Sequence, residues 1–151
     1  MRLYIASDHA GFDLKQHLVS YLEEHGVEVV DKGPHSFTPG DDYPDWISLV
    51  GQEISENPNA RGVVIGLSGQ GEALVANKFK RVRAGVYYGG PPEIPKLLRE
   101  HNNANVLSLG AKFVSKEDAE RAVDVFIETQ FSEDARHIRR IQKITKIENP
   151  E

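Results

Sequence analysis

The run Gly62-Val63-Val64-Ile65-Gly66 has no polar face. As a strand it must be covered on both sides, which is the situation of a central strand in a parallel sheet. It stops at Leu67-Ser68-Gly69-Gln70-Gly71, after which Glu72 to Lys78 has helix-forming composition and no breaker. Gly69 and Gly71 permit a tight turn and close backbone approach by a ligand. The free N–H groups at the start of such a helix favour an anion, and a carboxylate, Glu72, stands at the lip of that turn. This pairing suits proton abstraction beside a developing oxyanion. A plainer reading stands next to it: glutamate in a first turn also complements the helix dipole without any chemistry. Nucleotide signatures are not met. There is no G-x-x-x-x-G-K-[ST], and Leu74 stands where the third glycine of G-x-G-x-x-G would be.

Around this junction the chain alternates. Arg2 to Ala6 predicts a first strand, ended by Ser7-Asp8-His9-Ala10-Gly11. A helix then carries Phe12, Leu14, Leu18 and Leu22 at helical spacing and closes at Gly26. Val27 to Val30 predicts a second strand, and Lys32 to Asp42 a long loop of the kind that is often functional. Pro44 starts a helix through Ile47, Val50 and Ile54. After the Gly62–Gly66 strand and its helix come a strand at Arg83–Tyr88, a helix at Glu93–Glu100 and a fifth strand at Asn105–Leu109. Ser115, with Asp118 three residues on, predicts the N-cap of the next helix. A last amphipathic helix is expected from Glu133 to Ile147. The series implies one α/β domain, residues 1–151: a Rossmann-like three-layer sandwich on a five-stranded parallel sheet. Ligands of such sheets bind beyond the carboxyl ends of the strands, where the strand order switches, and Asp8-His9 and Ser68 to Glu72 both fall there.

Composition narrows the partners. The formal net charge of −5 argues against nucleic acid. The absence of cysteine removes disulfides and thiolate chemistry. No segment approaches the 18 apolar residues of a membrane span, and the N-terminus has too short an apolar run for a signal peptide, so a cytoplasmic protein is expected. No His/Cys/Asp/Glu set has zinc spacing and no Ser-His-Asp elbow occurs, so no metal is expected.

Three further groups invite chemistry. Asp8 or Ser7 is a natural N-cap, but His9 beside them is neither a good cap nor a core residue. His101, in His101-Asn102-Asn103-Ala104-Asn105, follows a helix and precedes a strand. That places it at the opposite sheet edge from Asp8 and Glu72, where it could equally serve as a dipole partner. Arg136 and Arg140 are four apart, so they share a helix face and could clamp one phosphate or simply form a solvated basic face. The stripe Ile138, Ile141, Ile144 and Ile147 on this terminal helix needs a surface to pack on. A second subunit would bury it and carry His101 and the arginines to a neighbour's Asp8–Glu72 edge.

Taken in order, Ser7-Asp8-His9-Ala10-Gly11, Asp42-Tyr43-Pro44-Asp45, Gly69-x-Gly71 with Ala76-Asn77-Lys78, His101-Asn102-x-Ala104-Asn105-Val106-Leu107 and Arg136-His137-x-Arg139-Arg140 resemble the ribose-5-phosphate isomerase B and galactose-6-phosphate isomerase (RpiB/LacAB) family over nearly the whole chain. The resemblance implies a metal-free and cofactor-free aldose–ketose isomerase of a sugar phosphate, typically ribose 5-phosphate. It also implies active sites shared across a homodimer through a C-terminal dimerisation helix, with a tetramer left open. One branch of the family has a cysteine base at the position of Gly66; the other has glutamate at the position of Glu72, and this chain is similar to the second.

By the same resemblance, His101 and Asp8 open the furanose ring and Glu72 moves the proton from carbon 2 to carbon 1 through a cis-enediolate. Backbone N–H groups around Ser68, Gly69 and Gly71 hold the enediolate oxygen, and Ser68 holds the reacting hydroxyl. His9, Arg136 and Arg140 take the phosphate, while Tyr43 and Asn102 line the sugar. Burial would lift the Glu72 pKa toward working pH while the helix dipole opposes that rise. Leu67 stands where the family usually has glycine, Lys112 where it often has arginine, and Tyr88-Gly89-Gly90-Pro91-Pro92 replaces a more helical stretch. These departures leave open a hexose phosphate (allose or galactose 6-phosphate) or a less common pentose phosphate as substrate. A non-catalytic sugar-phosphate-binding module on the same scaffold is the alternative to an enzyme.

Overall fold

The computed structural model describes residues 1–151. Its elements run β1 (Arg2–Ser7), α1 (Phe12–Glu24), β2 (Glu28–Asp31), α2 (Tyr43–Glu56), β3 (Arg61–Gly66), α3 (Gln70–Ala76), β4 (Ala84–Tyr87), α4 (Glu93–Asn102), β5 (Val106–Gly110), α5 (Lys116–Glu128) and α6 (Ala135–Glu148). The five strands form one sheet in the order β2-β1-β3-β5-β4, every neighbouring pair parallel. The apolar run is where its composition demands: β3 is the middle strand, and Val63, Val64 and Ile65 are fully buried.

Alternation along each strand divides the core in two. Leu3, Ile5, Val63, Ile65, Leu107 and Leu109 pack against Leu14, Leu18 and Leu22 of α1 and Ala119, Ala122, Val123 and Phe126 of α5. Tyr4, Ala6, Val64 and Val106 face Ile47, Val50 and Ile54 of α2 and Ala76 of α3. Each Leu, Ile, Val or Phe among them contributes roughly 1.5–3 kcal/mol on leaving water. The five-stranded parallel sheet between two helical layers is thus observed.

Local signals hold where they are local. Ser115 accepts the Asp118 N–H at 3.0 Å and caps α5. The cap position of α1 is Gly11 rather than Ser7 or Asp8; the Asp8 carboxylate instead accepts the Gly11 N–H at 3.0 Å, just ahead of the helix. α3 begins at Gln70, two residues before Glu72, because Gly69 takes the left-handed φ of 80° and turns the chain into the helix at once. α4 extends through Asn102, so His101 lies in its last turn, and Asn103 follows as a left-handed cap with φ 44°.

Arg99 is the largest fully buried side chain. Its Nε donates to the Thr129 carbonyl at 3.1 Å, and Nη1 to Asn103 Oδ1 at 3.0 Å and to the Ala104 carbonyl. It thereby ties the ends of α4 and α5 together. Burial, with Arg61 and Arg83 nearby, lowers its pKa to about 10, so it still carries its charge at neutral pH.

Candidate active site

The strand order reverses between β1 and β3: β2 lies on one side of β1, and β3 on the other. Asp8 follows β1 and the loop from Leu67 to Gly69 follows β3, so both meet at the switch, the usual ligand crevice of such sheets. Asp8 and Glu72 are buried there, with 6% and 4% exposure. Glu72 folds back over the end of β3, and a Cβ built on Gly66 would fall inside its carboxylate. Burial raises the Glu72 pKa and neighbouring Asp8 adds to the rise. The backbone N–H groups of Glu72 and Gly69 pull it down, by less. Desolvation therefore outweighs the opposing dipoles, leaving a carboxylate whose pKa moves toward neutrality.

β5 forms the floor of the glycine turn. Ser108 Oγ donates to the Gly69 carbonyl at 2.6 Å, and the Ala111 and Lys112 N–H groups donate to the Gly66 and Leu67 carbonyls at 2.8 and 3.0 Å. A Cβ on Gly69 would lie 2.9 Å from the Leu109 carbonyl carbon, and one on Gly71 2.8 Å from the Tyr43 ring. The first is backbone and cannot yield, so the turn demands glycine at 69 for space as well as for φ. Ser68 Oγ accepts the Gln70 N–H at 3.4 Å. Lys112 sits on the same rim, its Nζ 6.0 Å from the Phe113 ring centroid.

His9 completes this rim. Asp41 Oδ1 accepts both the His9 N–H, at 2.8 Å, and His9 Nδ1, at 2.7 Å, while Asp41 Oδ2 accepts Trp46 Nε1 at 2.9 Å. The hydrogen bond to Asp41 raises the His9 pKa, with burial opposing and Asp8 adding to the rise. Burial also pushes Asp41 up, but the hydrogen bonds from His9 and Trp46 prevail and hold it below the usual carboxylate range.

His101, Asn102, Arg136 and Arg140 are not part of this rim. His101 and Asn102 end α4, on the side where β5 begins, and Arg136 and Arg140 are exposed on α6. His101 stacks on His137 with ring centroids 4.3 Å apart. His137 is buried, and Ser132 Oγ lies 2.9 Å from its Nδ1. Burial lowers the His137 pKa, and His101, Arg136 and Arg140 add to the effect. Ile138, Ile144 and Ile147 of α6 remain 38%, 43% and 77% exposed. The structure thus gathers the predicted residues at two separate poles of one chain.

The largest groove, about 480 Å³, lies at the second pole, lined by Val82, Ala84, Leu98, Asn102, Ile144 and Ile147 among others, with neither Asp8 nor Glu72 in it. No three His, Asp or Glu side chains come together as a metal site, and no helix is long and apolar enough to cross a membrane. Sequence reasoning singled out neither Asp41 nor Trp46, and gave His137 no role. The density of acidic residues in Asp41-Asp42-Tyr43-Pro44-Asp45 was the available signal for the first.

Comparison with known proteins turns this arrangement into a family assignment. The family model described as Ribose/Galactose Isomerase matches residues 3–144. The chain belongs to the ribose/galactose isomerase family. A probable ribose-5-phosphate isomerase B of Mycoplasma pneumoniae is 40% identical over 97% of this chain and 94% of its own length. The ribose-5-phosphate isomerase B of Escherichia coli is 38% identical over 97% and 96%. Among solved structures, ribose-5-phosphate isomerase B of Mycoplasma genitalium with bound ribulose-5-phosphate superposes with a TM-score of 0.94 at 37% identity, covering 99% of this chain and 97% of that one. In this ribose/galactose isomerase the two poles therefore sit on the family's own scaffold.

Proposed function

We propose that this chain interconverts ribose 5-phosphate and ribulose 5-phosphate, the whole of residues 1–151 serving as one isomerase domain, with Glu72 as the base. One observation carries this: a buried carboxylate of raised pKa held over Gly66, beside a glycine turn floored by β5, at the switch in strand order. The relatives at 38–40% identity, a ribose-5-phosphate isomerase B and a probable one, support the same substrate.

Asp8 and His101 move protons at the ring oxygen and the anomeric hydroxyl to open the furanose. Glu72 takes the proton from carbon 2; the C–H electron pair becomes the carbon 1–carbon 2 double bond, and the aldehyde oxygen takes up the charge. Backbone N–H groups of the Ser68–Gly71 turn stabilise that oxygen, and Ser68 holds the carbon 2 hydroxyl, whose proton passes to the carbon 1 oxygen as the carbon 2 oxygen becomes the ketone. Glu72 returns its proton to carbon 1. Preorganised donors of this kind typically contribute 10²–10³ in rate. His9 and Lys112, on the same rim, and Arg136 and Arg140 supply the positive charge for the phosphate, with Tyr43 and Asn102 beside the sugar.

The second pole comes from a second copy. The separation of His101, Arg136 and Arg140 from Glu72 within one chain, and the exposed isoleucines of α6, support a homodimer in which each chain lends its α4–α6 end to the other's glycine turn. The compartment is the cytoplasm, where a charged sugar phosphate is retained because it does not cross lipid unaided.

Incubation with ribose 5-phosphate tests the reading: ketose appears, and solvent deuterium enters the carbon-bound positions of the sugar. No ketose and no deuterium from ribose 5-phosphate would remove it. Allose and galactose 6-phosphates in the same assay decide between pentose and hexose.

A further inference from the structure

We infer that Asp41 is a positioning residue that locks His9 into the orientation in which its free ring nitrogen receives the substrate phosphate. The inference rests on the isomerase reading for the identity of the phosphate. Its footing is geometric. One carboxylate oxygen, Asp41 Oδ1, holds both the His9 backbone N–H at 2.8 Å and Nδ1 at 2.7 Å, fixing main chain and ring together. The other oxygen is taken by Trp46 Nε1 at 2.9 Å. Both oxygens are thus occupied, and the Asp41 side chain is only 7% exposed, so it does not itself confront an incoming anion.

The His9 side chain is 38% exposed, and its Nε2, on the far side of the ring from the Asp41 bond, makes no hydrogen bond within the chain. The Asp41 carboxylate takes the Nδ1 proton and so favours the doubly protonated imidazolium, in which Nε2 carries a proton as well. That Nε2–H is a donor suited to a phosphate oxygen. Trp46 belongs to α2 and packs its ring against Gly33, so Asp41 is braced from behind by a residue of the rigid scaffold. The long loop after β2 therefore contributes the clamp on His9.

The test compares Asp41→Asn, His9→Ala, the double variant and Trp46→Phe. It measures kcat and KM for ribose 5-phosphate, and the calorimetric Kd for inorganic phosphate. Asp41→Asn is expected to raise KM and the phosphate Kd by roughly tenfold, the scale of one charge-assisted hydrogen bond, with kcat within twofold of wild type. The double variant is expected to be no worse than His9→Ala, since both changes remove the same donor. Trp46→Phe, which loosens the brace and leaves the His9–Asp41 bonds, is expected to change KM by less than threefold.

Wild-type KM in Asp41→Asn alongside a raised KM in His9→Ala overturns the role of Asp41 and leaves the site reading standing. Additive losses in the double variant, or a Trp46→Phe effect as large as that of Asp41→Asn, also overturn it. A His9→Ala protein that binds phosphate like wild type removes both. Should wild type turn over no ribose 5-phosphate, the phosphate Kd alone decides: a tenfold weakening in Asp41→Asn upholds the clamp, and equal values sink it.

Discussion

The Glu72 carboxylate fills the space directly above the Cα of Gly66, six positions earlier in the chain. The last residue of β3 and the first turn of α3 thus converge on one point, and a reactive side chain can reach that point from either position. In the resemblance that places a cysteine base at the position of Gly66 in one branch and glutamate at that of Glu72 in the other, the two alternatives occupy the same place in space. Only one fits at a time.

Gly66→Ala should therefore act as a mutation of the proposed base, Glu72. The added methyl displaces the carboxylate rather than the backbone, and kcat is expected to fall roughly 10² or more, as for loss of a positioned proton acceptor. A variant with kcat within threefold of wild type would show that the carboxylate does not need this seat. Circular dichroism melts separate this effect from unfolding.

Replacing the proposed base, Glu72, has two readouts of opposite sign. Glu72→Gln should lower kcat by roughly 10²–10⁴ with little change in KM. Its stability should rise. A carboxyl whose folded pKa lies above its unfolded value binds its proton more tightly in the native state, so ionisation costs stability once pH exceeds the unfolded value, and increasingly through the folded one. Glu72→Gln is thus expected to melt above wild type at neutral pH, with the gap closing below about pH 4. In wild type the acid limb of kcat/KM should lie above the ordinary carboxylate range, because burial raises Glu72.

A shared site can be tested by mixing. Glu72→Gln and His101→Ala proteins are each expected to be nearly inactive. Unfolded together and refolded, half their dimers are hybrids with one intact site, giving about a quarter of wild-type activity. No recovery, with hybrids demonstrated by native mass spectrometry, would confine each site to one chain.

Arg99→Met tests the tie between α4 and α5. It leaves the Thr129 and Ala104 carbonyls without their donor. The expected loss is about 3 kcal/mol, read as a Tm lower by roughly 6–12 °C for a chain of this size. A melt within 2 °C of wild type would show that the carbonyls find other partners.

The elements were legible because each is written locally. The apolar run at Val63–Ile65 suits a strand covered on both faces, and Ser115 with Asp118 makes a cap whatever packs around it. Asp8 and Glu72 could be brought together on paper because topology places the ends of β1 and β3 side by side. The rest depends on contacts that sequence spacing does not encode. His9 meets Asp41 across 32 positions and a loop with no periodicity, and His101 meets His137 only after α6 has packed back on α4. The direction of the Glu72 shift hinged on how deeply the carboxylate sinks, which two opposing local rules left undecided.

The donors of the glycine turn are main-chain amides, and the strand beneath them holds them through its own backbone and Ser108. Every residue but proline carries the same amide, so exchanging side chains nearby does not delete the donor. At Gly69 itself a side chain runs into Leu109. An inhibitor that mimics the enediolate and anchors on these amides would thus leave the protein few single-residue routes to resistance that do not also disable it.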